Sequence, residues 1–589
     1  MSGAGILGVE RSLTGRRWRE RTGDPRAGLA IAQRLGLPEI IGRVLAARGI
    51  GPEEAERFLN PLLRESLPDP SHLKDMERAA SRLASAVERR ETVAVFGDYD
   101  VDGATSAALL QRFFFAVGAR TVVYVPDRQR EGYGPNTPAL LRLYADGATV
   151  AVTVDCGIAA HAPIAAASEA GLDVIVVDHH VGEPSLPPAY AIINPNRLDE
   201  TSPHRTLAAV GVVFLLVVAV NRELRKRGWY AARREPDLLS WLDLVALGTV
   251  CDVVALVGLN RALVAQGLKV MRKRGNAGIA ALADRARVTE PMGAYHAGFI
   301  LGPRVNAGGR VGASDLGARL LATESGEEAR ALAERLEALN AERREIETRV
   351  LAQAEAQIEA LGRNALLFAA GEGWHPGVIG IVAGRLKERY GRPACVVAMG
   401  DGVGRGSGRS VAGFALGPAV IAARQAGLAH AGGGHAMAAG FSVTGDRLGA
   451  LKAFLEDRAR EALGDGEVVP ELGVDGALSA AAASPAFAEM IERVGPFGTG
   501  NAEPRFVFPH LRVLRAEIVG SAHLRLILAD AAGAGRIKAI AFRAVDGPLA
   551  PAFLNDKGRT FHVAGHLRAD RWQGREDVQL LLDDAAIAE

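Results

Sequence analysis

Gly97-Asp98-Tyr99-Asp100-Val101-Asp102-Gly103 sets three aspartates at alternate positions directly after the apolar run Val93-Ala94-Val95-Phe96. Carboxylates crowded at one strand end repel each other unless a cation lies between them. Hard oxygen ligands suit Mg²⁺ or Mn²⁺, so a divalent-metal site is the chemistry these residues point to. The alternative is an acidic surface turn, and such turns seldom follow a fully apolar strand. Two more apolar runs end the same way: Asp155 follows Val150 to Val154, and Asp178, His179 and His180 follow Val174 to Val177. A further acid, Asp252, lies in Gly248-Thr249-Val250-Cys251-Asp252-Val253-Val254, after a helix-like run from Trp241 to Leu247. Aspartate is rarely buried unpaired, so acids recurring at the ends of apolar runs argue for one compact anionic site. Carboxylate plus imidazole favours Mn²⁺ or Mg²⁺ over structural zinc. The carboxylates suffice for two ions, which lie about 3.5–4 Å apart in phosphoryl-transfer sites.

Such a site needs a parallel sheet, because functional groups in open α/β sheets gather beyond the carboxyl ends of the strands. Residues 91–320 supply one: strands at Val93 to Phe96, Thr121 to Val125, Val150 to Val154 and Val174 to Val177 alternate with Ala-rich helices, the pattern of a sheet covered on both faces. Residues 1–90 read as a helical lead-in packed on this domain, from Ile31, Leu35, Ile40, Ile41 and Val44 at helical spacing. Within 321–362, Leu332, Leu336, Leu339, Ile346, Val350, Ile358 and Leu361 stripe one long connecting helix. Residues 363–465 read as a second, smaller α/β domain with strands at Ala365 to Ala369 and Ala394 to Ala398. It carries three Gly-rich stretches, 371–377, 404–410 and 432–435. Read as loops, these present backbone amides, Ser and Arg to phosphate, although flexible turns are an equal reading of each. His375 beside Trp374 suits stacking on a base or simple packing. Residues 466–589 read as a small β-barrel, with short strands at Leu524 to Leu528, Ile537 to Phe542, Thr560 to Leu567 and Val578 to Leu582, broken by Gly533, Gly535, Gly547 and Gly574. Arg505, Arg525, Arg536, Lys538, Arg568 and Arg571, with Phe497, Phe542 and Trp572, suit a single-strand groove, though acids are nearly as frequent there.

At 589 residues the chain is too long for one core. A net charge of +1 means that any nucleic-acid contact must come from local patches. Cys156, Cys251 and Cys395 are too far apart for disulfides or zinc and fit a reducing compartment. No P-loop pattern supports ATP hydrolysis. The N-terminus has no apolar signal core, and the apolar run Ala208 to Val220 is too short to span a bilayer, so a cytoplasmic protein without a membrane partner is expected.

Taken in order, Gly97 to Gly103, Val154-Asp155-Cys156-Gly157, Asp178-His179-His180 and Asp252 resemble the DHH phosphoesterase family, and Gly432-Gly433-Gly434-His435 resembles its DHHA1 domain. Glu131 to Asn136, Gly302 to Arg310, Gly408-Arg409-Ser410 and Pro496 to Asn501 are similar to the RecJ-type single-stranded-DNA exonuclease branch. The resemblance implies a parallel-sheet DHH domain, a DHHA1-like domain and an OB-like barrel. It also implies a 5′-to-3′ exonuclease acting on single-stranded DNA in recombination and repair. Asp98, Asp100, Asp102, Asp155, His179 and Asp252 then hold two Mn²⁺ or Mg²⁺ ions, with Asp155 as the bridge. His180 meets phosphate, and Asp178 orients a neighbouring histidine. Arg304, Asn306, Arg310, Ser407, Arg409, Gly434 and His435 position the strand. Phe96 stands where many DHH phosphatases carry His, so Asp98 is expected to substitute. A single-strand-binding protein and a helicase are implied partners, and two lobes in one chain make a monomer sufficient. The rival readings are another DHH enzyme, cleaving oligoribonucleotides, cyclic dinucleotides or nucleotide phosphates, and a DNA-binding scaffold that has lost its metals.

Overall fold

The computed structural model describes residues 5–128, 130–362, 364–464, 469–530, 535–555, 558–570 and 577–588. Gly533, Arg571, Trp572, Gly574 and the side chain of Leu361 lie outside the described residues. The N-terminal segment is not wholly helical: strand β1 (Arg17–Glu20) precedes the helices Pro25–Leu35 and Glu39–Ala46.

The first lobe's sheet has five strands, β2 (Thr92–Gly97), β3 (Arg120–Tyr124), β4 (Ala148–Val154), β5 (Asp173–Val177) and β6 (Ala191–Ile193). Their order is β3-β2-β4-β5-β6, and every neighbouring pair is parallel. Side chains alternate faces along a strand, which is why one run of apolar residues builds two cores. Val93, Val95, Val150, Val152 and Val154 pack under the helices Val101–Ala116 and Ala209–Lys226. Ala94, Phe96, Ala151, Val174 and Val176 pack with Leu140, Leu143, Ile164 and Ala167 on the other face. Phe96 is fully buried, so it contributes to core and offers nothing to a metal.

The helix Gly326–Leu361 joins the lobes over 36 residues, N-capped by Ser325. The first half of its stripe (Leu332, Leu336, Leu339) belongs to the first lobe's core, and the second half (Ile346, Val350, Ile358) packs in or against that of the second lobe.

The second lobe contains β7 (Leu367–Glu372), β8 (Ala394–Gly400), β9 (Val403–Arg409), β10 (Ala431–His435) and β11 (Ala438–Thr444), ordered β10-β11-β9-β8-β7. Two stretches expected as Gly-rich loops, 404–410 and 432–435, are therefore mainly strand. Alternation explains it. A Cβ on Gly404 would lie 2.7 Å from Met399 Sδ, one on Gly406 2.1 Å from the Phe441 ring, and one on Gly408 2.5 Å from Leu416. The glycines make room on one face, which leaves Arg405, Ser407 and Arg409 together on the other. Trp374 is buried, lies against Gly371 and donates its indole hydrogen to Gln353 at 2.6 Å, while His375 beside it is half-buried and accepts from the Gly377 amide at 3.0 Å.

β12 (Glu471–Val474) pairs in parallel with β1, and β13 (Phe506–Val519), β14 (His523–Ala529), β15 (Arg536–Ala541), β16 (Thr560–Asp570) and β17 (Asp577–Ile587) close a barrel. Ile31, Ile41, Val44 and Leu45 share a core with Phe487, Ile491, Phe506 and Phe561, so the first lead-in helices pack on the barrel region, whereas the last, Met76–Arg89, packs in the first lobe's core through Met76, Leu83 and Val87. Arg505, Arg525, Lys538 and Arg568 are paired with Asp583, Glu517, Asp577 and Glu503, which offsets much of the charge expected of a groove. Phe497 is half-buried against the same core, whereas Phe542 is exposed.

Candidate active site

Strand order reverses between β2 and β4: β3 lies on one side of β2, and β4 to β6 lie on the other. A crevice opens beyond the carboxyl ends at such a switch point. Asp98 and Asp155 are the first residues past β2 and β4, each still tied to the ladder: the Asp98 amide donates to the Val154 carbonyl at 3.3 Å and the Asp155 amide to that of Val177 at 3.0 Å. Asp178 follows β5 in the same way, donating to Ile193 at 3.1 Å. Three acids are thus held side by side by backbone hydrogen bonds.

Asp100 caps the helix Val101–Ala116, its carboxylate accepting from the Gly103 amide at 3.1 Å. Asp102, buried in the first turn, accepts from the Ala209 and Val210 amides at 2.7 and 2.9 Å, at the N-terminus of a second helix. Asp252 ends the helix Leu242–Cys251. Ligand atoms of three groups lie within 4.8 Å of one another: Asp98, Asp100 and Asp155; Asp102, His179 and Asp252; and Asp155, His179 and His180. The structure brings together all eight of the predicted acids and histidines, seven in these groups and Asp178 beside them.

His179 is the centre of the arrangement. Its Nε2 lies 3.2 Å from Asp155 Oδ1 and 4.0 Å from Asp102 Oδ2, and its Nδ1 lies 3.6 Å from Asp252 Oδ2. Burial and the charge of His180 lower its pKa to about 4, leaving a neutral imidazole suited to metal ligation. Asp98 Oδ1, Asp155 Oδ1, His179 Nε2 and Asp252 Oδ2 are buried without a hydrogen-bond partner. Unpartnered buried polar atoms are costly, and converging ones fit a cation. Burial and mutual repulsion raise the pKa of Asp98, Asp102 and Asp155, and burial and Asp100 raise that of Asp252 to about 7. A divalent ion removes that penalty.

Asp178 faces His180 instead. It accepts from the His180 ring Nδ1 at 2.7 Å and from the Ile158 amide at 3.0 Å. Burial opposes the imidazolium, but Asp178 and its neighbouring carboxylates outweigh it and raise His180 to about 9.

The cationic side of the crevice comes from both lobes. Arg310, on the helix Gly302–Val311, donates to the Gly377 carbonyl of the second lobe at 2.9 Å. Burial, Arg128 and Arg343 lower its pKa to about 10, and Asp100 and Tyr99 oppose that shift. Burial and Arg128 likewise lower Arg409, whose guanidinium donates to Ser407 Oγ at 3.3 Å. Asn306 is half-buried on the same helix, while Gly434 and His435 are exposed on β10. Gly434 has φ +143°, and a Cβ there would lie 2.3 Å from the Ala438 carbonyl. Arg304 corrects the expectation: it is ion-paired with Glu337 and donates to the Ile300 carbonyl at 2.7 Å, so it braces the connecting helix.

Two participants escaped the sequence reading. Arg128 stacks 4.9 Å over the Tyr99 ring, and its charge reaches Asp98, Arg310 and Arg409. Its one signal is its place beyond the end of β3. The Tyr133 hydroxyl donates to the Asp155 carbonyl at 3.0 Å, and Tyr133 belongs to the Glu131–Asn136 stretch that had no assigned role. Burial and nearby carboxylates raise the pKa of Cys156 and Cys251, which remain inert thiols.

Three family models match along the chain: the DHH family N-terminal domain over 92–249, the DHHA1 domain over 363–461 and the RecJ OB domain over 474–584. The single-stranded-DNA-specific exonuclease RecJ of Dickeya dadantii is 38% identical over 93% of this chain and 96% of that protein. The RecJ of Bacillus subtilis is 31% identical over 97% and 71%. The crystal structure of Thermus thermophilus RecJ in complex with Mn²⁺ superposes with a TM-score of 0.80 at 30% identity, covering 97% of this chain and 79% of that one. Matched over nearly its whole length in both sequence and fold, the chain belongs to the RecJ family.

Proposed function

We propose that this chain is a metal-dependent exonuclease that hydrolyses single-stranded DNA from the 5′ end, in recombination and repair. The carrying observation is the set of four buried, unpartnered atoms on Asp98, Asp155, His179 and Asp252, facing a crevice lined by Arg310 and Arg409. Among the described residues no acid of the motifs has been lost, which argues against a metal-free scaffold. The barrel and the RecJ-type stretches favour this substrate over those of shorter DHH enzymes.

The donor set fits two Mn²⁺ or Mg²⁺ ions: Asp98, Asp100 and Asp155 on one side, and Asp102, His179 and Asp252 on the other, with Asp155 shared. When bound, such ions lower the pKa of a water and neutralise charge building on the phosphodiester. The protein's own groups do the rest. Asp178 holds His180 protonated, so its exposed edge presents a cation to a phosphate oxygen. Arg310 and Arg409, with Ser407, orient the strand's phosphates, and Arg128 adds charge at the mouth. The 5′ polarity and a single-strand-binding protein and a helicase as partners carry over from the resemblance, while monomeric action rests on two lobes in one chain and a cytoplasmic location on the unpaired cysteines and the lack of an apolar signal core. Among the described residues no helix is long and apolar enough to cross a membrane.

The test is degradation of 5′-labelled single-stranded DNA beside duplex DNA and RNA, with and without Mn²⁺. Asp155→Ala should lose at least about 100-fold in metal-dependent cleavage while melting as the parent does. Cleavage retained in that variant, or equal cleavage of duplex, overturns the reading.

A further inference from the structure

The stretch Pro496-Phe497-Gly498-Thr499-Gly500-Asn501 lies in the C-terminal part of the chain, outside the metal site and outside the crevice. Its place in the fold is informative. Asp252 is followed by Val253, whose backbone is left-handed at φ 63°, a conformation that costs a β-branched residue energy and needs outside support. Asp252 itself caps the helix Leu242–Cys251, its amide donating to the Gly248 carbonyl at 2.9 Å, but residues 254–257, which lead away from it, form no helix or strand.

Support comes from Asn260, whose side-chain amide donates to the Ala255 carbonyl at 3.1 Å, and from the 496–501 stretch. The Leu256 amide donates to the Thr499 carbonyl at 2.8 Å. Gly498 and Gly500 permit the approach: a Cβ on Gly498 would lie 2.8 Å from Leu256 Cδ1, and one on Gly500 3.2 Å from Ala255 Cβ. Gly500 also needs glycine's freedom at φ 75°. The strap is closed on itself by reciprocal backbone hydrogen bonds between Gly498 and Asn501, at 3.0 and 3.1 Å. Asn501 is fully buried; its amide donates to the Val494 and Pro496 carbonyls, both at 2.9 Å, and its oxygen accepts from Arg48 at 2.9 Å. Arg261, buried in the first lobe, donates to the Val494 and Gly495 carbonyls at 2.9 and 2.6 Å and fastens the strap's base to the first lobe.

We infer that this strap positions Asp252 for the divalent cation, with Asn501 as the positioning residue that fixes the strap's shape and Leu256 as the point where it grips the loop. A ligand at a helix end whose following loop is free to shift must be ordered when the ion binds, and that ordering weakens affinity. The strap orders it beforehand. The inference rests on the metal-dependent reading above, and the role is specific: the strap acts on metal affinity, not on the grip for DNA.

The experiment uses the full chain and two variants from opposite sides of the contact, Asn501→Ala and Leu256→Ala. Mn²⁺ affinity is measured by calorimetry, single-strand affinity by fluorescence anisotropy without divalent metal, and cleavage across a Mn²⁺ titration. Expected are about 10-fold weaker Mn²⁺ binding in each variant, DNA affinity unchanged within about 2-fold, and cleavage recovered at high Mn²⁺. The double variant should lose little more than either single one, because both loosen one contact, the packing of the strap on the Leu256 side chain, while the backbone bond from Leu256 to Thr499 keeps its donor in each. Parental Mn²⁺ affinity in a folded variant overturns the inference, as does weakened DNA binding with metal affinity intact. If Asn501→Ala does not fold, Leu256→Ala decides alone, since it leaves the barrel side untouched. A parent that neither binds Mn²⁺ nor cleaves would refute the metal reading instead, a distinguishable outcome.

Discussion

At Asp155 the backbone is left-handed, with φ 61°, and its carboxylate oxygen has no hydrogen-bond donor. A residue strained in backbone and unsatisfied in side chain is costly to keep, which favours a role that uses both. Asp98, Asp155 and Asp178 were legible in the sequence because each follows an apolar strand, and a parallel sheet brings strand ends together. Arg128 and Tyr133 were not, because their reach depends on how the loop after β3 folds back. Arg304 misled for a related reason. A matched stretch places it on the right helix, but its partner Glu337 lies 33 residues further on. Arg409→Ala should weaken single-strand binding about 10-fold and leave Mn²⁺ affinity unchanged, as anisotropy and calorimetry will read. Away from the site, Asp583 is held below the ordinary carboxylate range. Burial opposes its charge, but His566 at 3.0 Å and Arg505 at 2.8 Å outweigh it. A depressed folded-state pKa contributes stability above the unfolded value of about 4 and loses it as pH falls through the folded one. Asp583→Asn should therefore cost about 1–3 kcal/mol at pH 7 in denaturant unfolding, and the difference from the parent should shrink below pH 4.

Among the elements, β9 shows best where composition misleads. Gly404, Gly406 and Gly408 read as a loop because glycine lowers strand propensity. The strand forms because the space their missing side chains leave is filled by Met399, Phe441 and Leu416. Only the tertiary neighbours reveal this, and they come from other strands and a helix. The same alternation sets Ser407 and Arg409 on one face, so the phosphate-facing pair depends on the glycines behind it. Gly406→Val should cost about 2–4 kcal/mol and lower DNA affinity, whereas Arg405→Ala, at an exposed position of the same strand, should stay within about 0.5 kcal/mol. Comparable losses in both, by chemical denaturation, would contradict the packing account. The four longer strands of the first sheet and the long helix Gly326–Leu361 were legible because length and apolar spacing carry them. β6, with three residues, has too little of either.

The molecule as a whole closes its N-terminus onto its C-terminus. β1 pairs with β12, and the fully buried Trp18 donates its indole hydrogen to Asp584 at 2.9 Å. Sequence periodicity could not show this, because a strand pair across more than 450 residues has no local signal. Helical spacing in the lead-in was real, but spacing does not name the surface a helix covers. Trp18→Ala should cost about 3–5 kcal/mol by opening a cavity and stranding a buried carboxylate, with the loss read as a lower melting temperature. The strap at 496–501 ties the same C-terminal region to the loop that follows Asp252, and the helix Gly326–Leu361 joins the two lobes. All of this scaffolding serves one convergence of acids and an imidazole. Crystals grown with Mn²⁺ and measured at the manganese absorption edge test it most directly. The account predicts anomalous density bounded by Asp98, Asp100, Asp102, Asp155, His179 and Asp252; density only elsewhere, from protein that binds Mn²⁺ in solution, would contradict it.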